Sequence, residues 1–116
     1  MGAKVETLPG VDIGLDVIAR VAAKAVLEVR GVLSLENAFS EGIAAAIGRD
    51  GHARGVRVIS EADGCSFHIG VVTRYGTNIP EAAWQLQEHV KKTVEKLIGV
   101  NVKRVNVLIA GIHEVG

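Results

Sequence analysis

The sequence predicts an α+β domain: a two-layer sandwich in which a mixed β-sheet carries its long helices on one face, in the order β-α-β-α-β-β-α-β. Three observations predict it. Two long stretches, Asp16 to Arg30 and Pro80 to Ile98, repeat apolar residues at helical spacing. Short runs rich in Val, Ile and Phe alternate apolar and other residues before, between and after them. The run from Phe67 to Gly111 reads strand, long helix, strand, an order that favours a right-handed crossover onto one sheet.

Taken in order, Val11 and Ile13 alternate with Gly10 and Asp12, which predicts a brief first strand. Gly14 is a permissible N-cap, and Asp16 puts negative charge where the helix dipole favours it. In the helix that follows, Val17, Ile18, Val21, Ala22, Ala25, Val26 and Val29 share one face, opposite Arg20, Lys24 and Glu28. Gly31 is the expected stop, since glycine enters the left-handed region without a Cβ clash. "VLSLE" (Val32 to Glu36) reads as a short strand. Phe39, Ile43 and Ile47 predict one short helix, weakened by Gly42. Gly48 to Gly55 reads as a loop rich in glycine and charge, and Val56 to Ser60 as a strand. Asp63-Gly64 signals a hairpin back into "CSFHIGVVTRY", whose Phe67, Ile69, Val71, Thr73 and Tyr75 point one way.

The second long helix has Pro80 in its first turn, where the missing N–H is harmless, and closes at Gly99. Asn78 is its predicted N-cap, with Glu81 completing a capping box. Ile79, Ala83, Leu86, Val90, Val94 and Leu97 form its apolar face. Trp84 lies off that face, on the charged side with Glu88, Lys91 and Glu95. In the last strand, Val105, Val107 and Ile109 share a face with which Val102 is out of phase, so a bulge is expected near Lys103-Arg104.

Residues 1–116 read as a single domain with its core over about 10–112, the size at which one hydrophobic core is sustainable. Apolar residues make up 48%, which is a globular rather than a disordered composition. Acidic and basic residues number 13 each, so the basic excess typical of phosphate-neutralising proteins is missing and nucleic acid is disfavoured as the main ligand. Neutrality also removes the self-repulsion that keeps copies apart. One cysteine, Cys65, excludes an internal disulfide. No apolar run approaches the ~18 residues of a membrane span, and no signal peptide opens the chain. The expectation is a cytoplasmic protein that reaches a membrane only through another protein.

His52, His68, His89 and His113 are scattered over loop, strand, helix and tail at spacings that do not converge on a metal. Cys65 sits beside a hairpin turn with Asp63 nearby, an environment that raises a thiol pKa and suits a structural residue. No nucleophile, base and orienting group assemble from the chain, so neither a catalytic residue nor a cofactor nor a small-molecule substrate is expected. "IGRDG" (Ile47 to Gly51) resembles the phosphate-clamping loop of KH nucleic-acid-binding domains. On that alternative, Gly48, Arg49, Gly51, Arg54 and Arg57 would grip an RNA backbone. Against it, the chain continues into Gly55 and a strand instead of a second helix. Trp84 is the other candidate: it either folds down over Tyr75 or a neighbouring loop, as large aromatics often do, or is an interface anchor with Glu88, Lys91 and Glu95 around it, because Trp is enriched in binding hot spots.

Three ordered segments carry a family resemblance. "GVDIGLDVIARVAAKAVLEVRGVLSL", "VVTRYGTNIPEAAWQLQEHVKKTVEKLIGV" and "NVKRVNVLIAGI" together resemble the alkaline-shock protein family of bacterial envelope and general stress proteins. The likeness runs from about Gly10 to Ile112. It implies a small non-catalytic cytoplasmic protein that forms homo-oligomers and is placed near the membrane by a membrane-embedded partner, and it carries over no catalytic residue. Gly14 departs from the Ser- or Asp-like cap expected there, and the last strand lacks a long charged tail.

Overall fold

The computed structural model describes residues 3–37 and 50–115. Among the described residues seven strands and two helices follow one another: β1 (Lys4–Leu8), β2 (Val11–Gly14), α1 (Leu15–Leu27), β3 (Val32–Leu35), β4 (Asp50–Ala53), β5 (Val56–Glu61), β6 (Gly64–Arg74), α2 (Ile79–Leu97) and β7 (Val102–His113). The α+β sandwich with two long helices is the fold predicted. The short helix expected at Phe39–Ile47 lies outside the described residues.

Strand β6 organises the main sheet. Strand β7 runs parallel to it from Cys65 to Arg74, occupying one whole edge. The other edge is shared end to end, with antiparallel β5 along Gly64–Ile69 and antiparallel β3 along Val71–Thr73. Strand β4 completes the order by pairing with β5. The parallel β6–β7 pair joined by α2 is the expected crossover unit.

Two strands escaped the sequence reading. Strand β1 pairs with β2 as a separate two-stranded sheet, its charged and mostly exposed residues giving little apolar signal. Strand β4 occupies the middle of what reads as the Gly48–Gly55 loop, so that assignment is corrected over Asp50–Ala53. Its stability comes from tertiary contact. A Cβ on Gly51 would sit 2.3 Å from the carbonyl carbon of Leu15, so α1 rests directly on the β4 backbone. The Asp16 carboxylate accepts the His52 N–H at 2.7 Å, giving this acidic residue a strand partner as well as a helix dipole. The missing cap at Gly14 has a similar answer. Its place is taken by the residue that leads into β1, where the Ala3 carbonyl accepts the Leu15 N–H at 2.7 Å.

The core lies between helices and sheet. Leu15, Ile18, Ala19, Ala22, Ala25 and Val26 of α1, and Leu86, Val90 and Val94 of α2, meet Val56, Val58, Phe67, Ile69 and Val71. Val105, Val107 and Ile109 stand opposite Phe67, Ile69 and Val71, as their alternation predicts. The predicted bulge is present, since Cys65 pairs with Val102 and Ser66 with Arg104, leaving Lys103 extra. A second shift, unforeseen, leaves Ala110 extra between Ile109 and Gly111. Val17 and Leu97, placed on apolar helix faces by periodicity, are 44% and 66% exposed. The helices close on the sheet side, while the groove between them stays open on the outside, lined by both residues with Val21 and Ala25.

Candidate functional site

The strand-to-helix junction that begins α2 is built by local rules. The Asn78 side chain accepts the Glu81 N–H at 3.2 Å, and Pro80 sits in the first turn. The capping box is half made. The Glu81 carboxylate turns to the Gln85 amide (3.5 Å) and does not close back on the cap. Beside this junction Arg30, Arg74, Tyr75, Asn78 and Gln85 line a polar cleft of about 660 Å³. Tyr75 is 70% exposed there, and the cap leaves α2 few free N–H groups to offer an anion.

The four predicted interface residues divide into two kinds. Trp84 is 61% exposed, and Glu88 is half-buried beside it on the helix surface. Lys91 and Glu95, by contrast, are tied to the start of β7. The Lys91 ammonium donates to Glu95 Oε2 at 2.9 Å and to the Val102 carbonyl at 3.3 Å. Glu95 Oε2 also accepts the Val102 N–H at 3.0 Å. That N–H, and secondly Lys91, hold the Glu95 carboxyl below the usual glutamate range. Two turns earlier, Gln87 donates to the Val105 carbonyl at 3.0 Å. Gln87 drew no notice in the sequence, because a glutamine on a polar helix face looks like any solvated residue.

These contacts have a common purpose that the topology explains. Among the described residues strand β7 pairs only with β6, so its other edge is a sheet edge, and unpaired strand edges invite pairing with other chains. Glu95, Lys91 and Gln87 satisfy that edge at Val102 and Val105. Beyond Val105, no hydrogen bond among the described residues reaches it. Trp84 lies one turn before Gln87 on the same helix. Leu108 and Ile112, in the stretch of β7 beyond Val105, are 40% and 51% exposed.

The remaining candidates are dispersed. Gly48 and Arg49 of the alternative nucleic-acid loop lie outside the described residues. Gly51 is buried in β4 instead of a loop, Arg54 is exposed at the β4–β5 turn, and Arg57 is held by Asp50 at 2.8 Å. His52 also pairs with Asp50 (2.8 Å), while His89 bridges the helices to Glu28 (2.8 Å). His68 lies on the outer sheet face, its pKa lowered by burial and then by Arg57 and Arg104. Among the described residues no His, Cys, Asp or Glu cluster could hold a metal ion. Cys65 is fully buried, and burial, with Glu61 second, pushes its thiol up to about 11. The acid responsible is thus Glu61, not Asp63 as the sequence suggested.

Comparison with known proteins gives a consistent result. The model of the alkaline-shock protein 23 family, described as having a cell envelope-related function, matches residues 3–114. The chain is 32% identical over 110 residues to the uncharacterized Bacillus subtilis protein YqhY, covering 95% of this chain and 77% of that one. It is 32% identical over 105 residues to the uncharacterized B. subtilis protein YloU, covering 89% and 88%. A third relative, the uncharacterized Streptococcus pyogenes protein Spy1614, is 31% identical over 119 residues and covers 100% and 98%. No solved structure gives a significant match.

Proposed function

The chain belongs to the alkaline-shock protein 23 family of cell-envelope-related proteins, and we propose that it serves the envelope or general stress response as a non-enzymatic interaction protein. In this reading it assembles with itself on the cytoplasmic side and is recruited to the membrane by a membrane-protein partner. No helix among the described residues is long and apolar enough to cross a membrane, so in this reading the partner supplies the anchor.

The observation that carries the reading is Trp84, 61% exposed on the helix whose Gln87, Lys91 and Glu95 reach the outer edge of β7. Leaving a large aromatic in water forgoes burial that is worth about 2–3 kcal/mol for a large apolar side chain. At interfaces, aromatics of this kind supply much of the binding energy. The RNA-binding alternative draws less support, because Gly51 is packed under α1 and Arg57 is engaged by Asp50.

The test is affinity purification from the native host, with sizing of the pure protein alongside. Recovery of a membrane protein and concentration-dependent assembly are expected. Trp84→Ala should diminish one or both, and unchanged oligomer size together with unchanged partner recovery would sink the proposal.

A further inference from the structure

The outer edge of β7 changes character along its length. At Val102 both backbone groups are taken by α2, and at Val105 the carbonyl is. In a parallel ladder alternate residues turn their backbone groups to the same neighbour. Val102 and Val105 face outward across the Lys103 bulge, so Val107 and Ile109 face outward too. Past the second bulge, His113 turns inward, its carbonyl accepting the Tyr75 N–H at 2.8 Å, which leaves Ile112 outward. The open edge therefore runs from Val107 to Ile112.

We infer that this open edge is where a second copy of the chain adds its own β7, antiparallel about a two-fold axis between Ile109 and Ala110, which joins the two sheets into one. The inference rests on the self-assembly proposed above and locates it. Two features select this occupant. First, the segment is complementary to itself. The axis sets Leu108 of each copy opposite Gly111 of the other on the outer sheet face, and Val107 opposite Ile112 on the core face. Face matching of this kind is required of any strand pair. The Ala110 bulge makes it possible, because it shifts the alternation between Ile109 and Gly111 by one residue.

Second, α2 closes Val102 to Val105, so the pairing is confined to the stretch that contains the axis. A two-fold contact of one surface with itself is the commonest way soluble chains dimerise, and strand addition supplies its affinity through main-chain hydrogen bonds.

Sedimentation velocity over a concentration series tests this. Leu108→Lys, on the outer face and away from the core, should weaken dimerisation at least about tenfold. In the assembled protein the Val107, Ile109 and Ile112 amides should exchange more slowly than in the dilute one. A dimer indifferent to Leu108→Lys would overturn the inference and leave the proposed self-assembly intact. A chain that stays monomeric at every concentration would overturn both.

Discussion

The two helices share a layer and are used differently. Helix α1 has 13 residues and hides six of them completely or nearly so, three being alanines that let its backbone approach the sheet. Helix α2 has 19 residues and buries four. Its remaining surface carries Trp84, the Glu95–Lys91–Gln87 clamp on β7 and one wall of the groove between the helices. A helix pressed to the sheet through small residues has little surface left for recognition. The one that keeps a narrow apolar stripe has room to guard an edge and to offer an anchor.

The comparison breaks most readily at Gly51. A Cβ there meets the Leu15 backbone at 2.3 Å, and backbone cannot swing aside. Gly51→Val should therefore cost about 3 kcal/mol, read as a lowered denaturation midpoint. A neutral result would mean that α1 is not seated as tightly as α2 is loosely.

A smaller effect is expected at the clamp. Glu95→Gln should lose about 1 kcal/mol, since one charged hydrogen-bond acceptor is exchanged for a neutral one. The same carboxylate predicts a pH dependence. Its folded pKa is depressed, so its contribution is complete above the ordinary glutamate range and disappears as pH falls through the lower folded value. Wild-type stability should thus decline on acidification more steeply than that of Glu95→Gln. Equal slopes in the two proteins would remove Glu95 from the account of β7.

On the outer side of α2, Trp84→Ala should change folding stability by less than about 0.5 kcal/mol while reducing assembly or partner capture. A large loss of stability would make Trp84 a packing residue and erase the contrast between the helices. The smallest effect belongs to Cys65. With its thiol buried and its pKa pushed up to about 11, thiol reagents should leave the native protein unlabelled and react only on unfolding.

Most of the main sheet and both helices were legible because each has a period that burial imposes. Helix α2 announces itself through Asn78, Pro80 and the Leu86–Val90–Val94 repeat, and β7 through Val105, Val107 and Ile109. Strand β4 was not legible. "DGHA" has no apolar alternation, and it is held by pairing with β5 and by a helix resting on Gly51. The candidate surface was half legible. Trp84 stood out by being off the apolar face, but Lys91 and Glu95 looked identical in kind to Glu88, and only the position of Val102 separates them.

The sequence by itself determined the fold class and the bulge at Lys103, because these follow from local periodicity and turn chemistry, and its ordered segments carried the family resemblance. Tertiary structure decided which edge of the sheet is closed and which half stays open. That depends on where α2 lays its polar side chains along β7, a relation between residues as far apart in the chain as Gln87 and Val105 that no local pattern encodes.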